Sequence, residues 1–358
     1  MRHALEAAAL DMAAVAVESA AFETVLLLPD RPVTLSVPAG VDVESDGDVG
    51  LRPGEFRFGA RLSDLARRRG IEALAYIGAG SGPLLTADDF RALVTPLTAE
   101  RICVTNNRFS ADLFALRPAS LLALLDPMPV KDNGIPRSLR EVHAVDVVEL
   151  PRTLATQFNV DTPSDLIALV LSGRAGPRLT TALAEAGLDT SRAQAASMKF
   201  VDRTAEVLVA GRLSSRTWQY LETESASRIR LLAEERGMQA AGTDASGTAR
   251  SMLGQLIEEA GPSRFFSELL PQLCQAAFLD IRPALVQLGI QPSRADRFAA
   301  DLGDARNIED PRLRAIVEAA NAAPVPVVLG GHSLVGGCLE LLNQWAWDEH
   351  DRQAAEVH

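Results

Sequence analysis

ELPRTLATQFNVDTPSDL, Glu149 to Leu166, is the stretch on which the reading of this chain turns. Its first residues close VDVVEL (145–150), an apolar, β-branched run that reads as a strand. Its last residues open a helix, TPSDLIALVLSG, with Thr162 as cap and Pro163 at the first helical position. Asn159 and Asp161 stand two apart at the junction. Alternate residues of extended chain share a face, so both side chains are expected to point the same way. Two oxygens held at a strand end suit Mg²⁺, which takes carboxylate and phosphate oxygens in octahedral geometry. The same residues also suit an ordinary helix cap. In that reading Asp161 and Thr162 satisfy orphan amides, and Asp165 sits in the favourable first turn. Spacing alone leaves both open.

Working outward, the first half alternates strand-like and helix-like segments. TVLLL (24–28), IEALAYIG (71–78) and RICVTN (101–106) read as strands. Phe58 to Arg69 reads as a helix ending at Gly70, and Thr86 caps another with Asp88 and Asp89 in its first turn. Leu113 to Leu125 reads as mostly helical, broken by Pro118. Pro38 to Gly54, with room for a short strand inside, and Asp126 to Pro136 read as loops. Strands spaced by helices predict a mostly parallel sheet with helices on both faces. GRAGPR (173–178) is the linker candidate. Beyond it helices are expected over 177–187, 215–236, 248–260, 263–278, 294–302, 311–322 and 337–347, with strands only at AEVLVAG (205–211) and VPVVLG (325–330). The expected division is an α/β domain over 1–175 and a mainly helical domain over 176–358.

Composition narrows the function classes. The 358 residues are 47% hydrophobic and 23% charged, with mean hydropathy +0.07, an ordinary globular balance. A formal net charge of -12 repels phosphate backbones and argues against a general nucleic-acid binder. Cys103, Cys274 and Cys338 are odd in number and far apart, so neither a disulfide framework nor a cysteine zinc site is expected. A reducing cytoplasm is the default expectation. MRHALEAAALDMAAVAVESAAF (1–22) is interrupted by Glu6, Asp11 and Glu18 and reads as an amphipathic helix. No uncharged apolar run approaches the ~18 residues of a membrane span.

The Glu149–Leu166 stretch resembles the closing motif of GT-A-type nucleotidyltransferases, the group that includes molybdenum-cofactor and phospholactate guanylyltransferases. AYIGAGSGPLLTADDF (75–90) and VTNNRFSADLFAL (104–116) are similar to two further segments of that group and occur in the same order. The resemblance covers roughly residues 22–172. It implies a GT-A or Rossmann-like fold and a protein that binds a nucleoside triphosphate or nucleotide sugar with Mg²⁺. It further implies transfer of a nucleotidyl group to a small acidic or phosphorylated acceptor. Asn159 and Asp161 would hold the metal, and Thr105, Asn106, Asn107, Ser110 and Asp112 would contact sugar or acceptor. Ser81 stands where the group carries a metal-holding aspartate. PDRPVTLSVPAG (29–40) stands where it carries a Gly-rich phosphate loop. These departures favour the rival reading, a non-catalytic nucleotide- or small-molecule-binding or regulatory protein on the same scaffold. The expected partner is a small nucleotide or phosphorylated molecule; nucleic acid and membranes are not expected, and a homodimer is compatible.

Three other features carry chemistry. GAGSG (78–82) is an amide-rich turn after a strand, suited to a phosphate or to a plain tight turn. Lys131, Arg137, Arg140 and Arg152 are cationic candidates for an acidic ligand, or solvent-facing charges. GGHSLVGG (330–337) follows a strand as a nucleophile elbow does, but Val335 stands where that motif needs glycine. Its glycines suit an anion, with His332 as a contact, or a packed turn. Glu224–Arg228, Arg230–Glu234 and Arg297–Asp301 read as helical i,i+4 pairs, with Trp218, Leu221, Ile229 and Leu232 as a buried stripe.

Overall fold

The computed structural model describes residues 1–50, 56–129 and 131–356. The last residues of the expected 38–54 loop, and Val130 within the 126–136 loop, lie outside the described residues. The chain is α/β and divides into two compact units. The first comprises Arg2–Asn159 and Gly176–Ala182; the second comprises Met1, Val160–Ala175 and Leu183–His358.

In the first unit, β1 (Val25–Leu27) and β2 (Val41–Val43) form a small parallel pair. The main sheet contains β3 (Leu74–Ile77), β4 (Ile102–Thr105), β5 (Leu113–Arg117) and β6 (Asp146–Glu149), in the order β3-β5-β4-β6. β4 and β6 run parallel; β5 is antiparallel to both its neighbours. This sheet is mixed, where a mostly parallel one was expected. The difference lies in Leu113–Arg117, expected as helix. A short apolar run does not reveal its own period, and here it lies between two cores. Phe114 and Leu116 pack on one face with Phe58, Leu62, Leu122 and Leu139; Leu113 and Ala115 pack on the other with Met12, Phe90, Leu93 and Val104. Only alternation across a strand serves both faces. Pro118 then ends the strand, and Ala119–Leu124 forms a 3₁₀ turn. Helices cover both faces, as expected.

Thr86 caps Ala87–Val94 through a reciprocal pair with Asp89. The N-terminal residues form the helix Arg2–Glu18. Its buried Asp11 accepts from the amides of Arg178 (3.2 Å) and Leu179 (2.9 Å), which joins Gly176–Ala182 to this unit. Gly176 is required there, because a Cβ would lie 2.5 Å from Asp11 Oδ2.

The second unit holds a parallel sheet of β7 (Glu206–Gly211), β8 (Arg228–Ala233), β9 (Ala276–Asp280) and β10 (Val327–Gly330), in the order β10-β9-β7-β8. β7 and β10 fall where strands were expected. β8 and β9 correct the expectation of only two strands in this half, which is otherwise mainly helical. The helix expected over 215–236 ends at Glu224, and Arg228–Ala233 is an edge strand. Its arginines pair across to Glu206 of β7, at 3.1 Å from Arg228 and 2.6 Å from Arg230, in place of the helical pairs with Glu224 and Glu234. β9 is buried throughout. Its alanines favour helix by propensity, but close approach of neighbouring strands on both sides overrides that weak preference. Leu208, Ala210, Ala277, Leu279 and Leu329 face a core with Phe265, Phe266 and Leu313. Toward the other face Phe200 stacks on Phe278 at 5.1 Å.

No helix among the described residues is long and apolar enough to cross a membrane, and all three cysteines are free and buried.

In the first unit Glu44 is a nearly buried hub that receives Arg68 at 2.6 Å, Arg61 at 2.8 Å and Arg69 at 3.0 Å. Arg68 foremost, then Arg61 and Arg69, hold its carboxyl down to about 2 against the opposing effect of burial. A carboxyl lowered in the folded state stabilises above its unfolded value and loses that contribution as pH falls. Glu44→Gln should cost on the order of 2 kcal/mol at pH 7. In denaturant titrations the difference from the native chain should shrink between about pH 4.5 and about pH 2.

Candidate functional site

Each unit gathers polar side chains where its strands end. In the first unit, β3 runs out through Gly78, whose amide donates to the Asp112 carbonyl at 3.1 Å. The turn then doubles back: Ser81 N reaches the Gly78 carbonyl at 2.9 Å and Gly82 N the Phe158 carbonyl at 3.2 Å. Ser81 is buried and forms an isolated antiparallel bridge with Asn159. GAGSG is therefore a packed turn with three of its amides engaged, the plainer of its two readings.

Asn106 is fully engaged as well. Its Oδ1 accepts from Asp112 N at 3.2 Å and Leu113 N at 3.4 Å; its Nδ2 donates to the Thr156 carbonyl at 3.0 Å and to Asp112 Oδ2 at 3.3 Å. Thr105 is buried and donates to the Leu113 carbonyl. Ser81, Thr105, Asn106, Asp112 and Asn159 thus come together, and most hold the loop ends in place. The tip of the loop is different. Asn107 accepts from Phe109 N and is half-buried; Ser110 is exposed. Phe109 is 54% exposed, and the Arg108 guanidinium lies 4.7 Å from its ring centroid. Arg108 Nε is buried with no partner. Arg152 is exposed and pairs with Glu149 at 3.2 Å. The Arg108 amide and then Arg152 keep the Glu149 carboxyl below its ordinary range. Of the other expected cations, Arg137 pairs with Glu141 and Arg140 with Asp146, both as exposed surface pairs.

The second unit carries a denser constellation. β7 connects to β8 on one side and borders β9 on the other, so its carboxyl end is the point where strand order reverses, the usual place for a ligand in a parallel sheet. There Gly211 has φ +125°, and a Cβ would lie 2.4 Å from Asp280 Cβ. Asp280, closing β9 with 0% exposure, receives Arg212 in a fork, Nε at 2.6 Å and Nη2 at 3.0 Å. Two residues on, Arg282 Nη2 donates to both oxygens of Asp301 at 2.6 and 2.7 Å. Asp301 therefore bonds to Arg282 and not, as the helical spacing predicted, to Arg297. Burial pushes the Asp301 carboxyl up to about 7, with Arg282 opposing and Asp165 and Asp280 adding.

Beside these lies the Asn159–Leu166 motif's second half. Asp165, fully buried, accepts from Asp161 N (2.8 Å), Thr162 N (2.7 Å) and Thr162 Oγ1 (3.1 Å) through one oxygen. Its other oxygen takes the Cys338 thiol at 2.8 Å. Burial raises both groups, so this cysteine is held as a thiol. Thr162 is the cap, as expected, and its reciprocal partner is Asp165; Asp161 takes no part in the capping box. Asp161 itself remains 48% exposed, with His332 Nε2 3.9 Å from its Oδ2. Ser333 Oγ lies 3.5 Å from Thr162 Oγ1, with Val335 and Gly336 distorting the helix start that follows.

Among the described residues no group of three or more His, Cys, Asp or Glu side chains is arranged to hold a metal ion. The two expected Mg²⁺ ligands fall in different units, Asn159 in the first and Asp161 in the second. Arg212, Asp280 and Arg282 are not singled out by the sequence reading, and Asp301 appears there only as a helical partner of Arg297. Their signal is present: a polar residue directly follows the apolar run VLVAG and another closes AAFLD, as at carboxyl ends of parallel strands. Reading 263–278 as a helix concealed it.

Compared with known proteins, the chain matches no family model and no curated protein.

Because Gly211 meets Asp280 with a left-handed backbone, Gly211→Ala should cost at least about 2 kcal/mol. Chemical denaturation of the two chains checks this.

Proposed function

We propose that the protein binds a nucleotide or nucleotide-like phosphorylated small molecule at the strand ends of its first unit, in a binding or regulatory role. The observation that carries this is the tip of the 106–112 loop, where Phe109 is 54% exposed and backed by Arg108 at 4.7 Å. An exposed aromatic face supported by a guanidinium suits stacking of a planar base. Asn107, Ser110 and Asp112 lie on the same loop, with hydroxyl, amide and carboxylate groups that suit a sugar. Binding is preferred to transfer because Ser81 is buried in a bridge and a hydroxyl contributes little to a hard dication.

One observation favours the second reading, nucleotidyl transfer. Asp161 keeps its carboxylate 48% exposed and is not absorbed by neighbouring amides. In that reading Asp161 would contribute to holding Mg²⁺, which would supply charge neutralisation at the phosphate. The Asp161 carboxylate contributes the negative charge that such an ion needs.

Calorimetry of the full chain with each nucleoside triphosphate, with and without Mg²⁺, separates the readings. Metal-independent binding weakened about 5- to 20-fold by Phe109→Ala is the expected result, the size of one lost base stack. Binding that requires Mg²⁺ and disappears in Asp161→Ala would establish the second reading. No binding of any nucleotide would remove both.

A further inference from the structure

The second unit contains cations that the fold itself does not neutralise. At the carboxyl edge of β9, Asp280 is matched by Arg212 and Asp301 by Arg282. Arg282 nevertheless keeps Nη1 buried with no acceptor, although its side chain is 13% exposed overall. An unpaired buried donor of this kind is destabilising, so its retention calls for an acceptor that the protein does not supply.

The Arg294–Asp301 helix brings two more guanidinium groups to the same place. Arg282 Nη2 also lies 3.5 Å from the Arg297 carbonyl. Arg297 is half-buried, and no hydrogen bond or ion pair of its side chain is found among the described residues. Burial, followed by the charges of Arg282 and Arg294, holds it below the ordinary arginine range, with only Asp301 opposing. Arg294 lies over the Phe298 ring at 5.0 Å.

Of the other carboxylates nearby, neither contacts Arg297. Asp165 holds the 161–162 amides and the Cys338 thiol, and Asp161 faces His332. The turn after β10 approaches closely: a Cβ on Gly331 would stand 3.9 Å from Arg282 Nε and 3.4 Å from Thr162 Cγ2.

We propose that Arg282 and Arg297 form a second ligand site, which takes the phosphate dianion of a small phosphorylated molecule at the carboxyl edge of the second unit's parallel sheet. A phosphate offers several acceptor oxygens, so one ion meets the orphaned Nη1 and the unpaired Arg297 together. It also screens the repulsion among the three arginines. The site belongs to the second unit and does not rest on the nucleotide reading of the first.

The test is calorimetric titration of the full chain with inorganic phosphate at fixed ionic strength. Saturable binding in the millimolar range or tighter is expected. Arg297→Gln removes no hydrogen bond of the fold and should weaken it at least tenfold, the size of one lost charge-assisted contact. Phe109→Ala should leave it unchanged. Absence of saturable binding to the native chain, equal binding to Arg297→Gln, or loss in Phe109→Ala would each overturn the assignment. Because Phe109→Ala reads the first unit separately, failure of the nucleotide reading and failure of this site give different results.

Discussion

The Asp165 carboxylate is the constraint on which the arrangement around the motif depends. One of its oxygens gathers the amides of Asp161 and Thr162 together with the Thr162 hydroxyl; the other receives the Cys338 thiol. A single buried side chain thereby starts the Pro163–Ser172 helix and ties it to the segment following β10. Buried carboxyls are costly unless their lone pairs are met, and here they are. The consequence is chemical. Because Asp165 takes these amides, Asp161 keeps its carboxylate toward water, with His332 beside it.

The same logic of satisfied polar groups separates residues spent on the fold from those it leaves over elsewhere. Asn106 and Thr105 look like ligand contacts in a linear reading, but their donors and acceptors close the loop ends against the chain. Gly211 lets Asp280 come close enough for Arg212 to grip it in a fork. What these bonds leave over is informative: the exposed Phe109 face in one unit, and Arg282 Nη1 with Arg297 in the other. Both lie at the carboxyl ends of strands, where loops are free to vary without disturbing the sheet.

Legibility in the sequence followed burial symmetry. Segments with a clear cap or a clean β-branched run were readable: Thr86 and its helix, IEALAYIG, RICVTN, AEVLVAG and VPVVLG. Segments apolar on both sides, or rich in alanine and arginine, were not. LFALR, RIRLLA and AAFLD each look as helical as extended, because nothing within five or six residues reports what lies on the second face. The candidate site divides in the same way. Asp161 and His332 could be picked out from their motifs, whereas the Arg212–Asp280 and Arg282–Asp301 pairs join residues 68 and 19 positions apart. No local pattern encodes such partners.

By itself the sequence determined an α/β chain, its helix caps, its helix-breaking prolines, and a motif that ends a strand and begins a helix. Those depend on neighbours within a few residues, where side chain and backbone chemistry decide the outcome. The tertiary structure decided that the second half carries a four-stranded parallel sheet, that the Asp161 and Thr162 amides go to Asp165 and leave Asp161 exposed, and which arginines are left without a carboxylate. Each of these is a competition among groups distant in the chain, and it is settled only when folding brings them together and removes the water that would otherwise have satisfied them all.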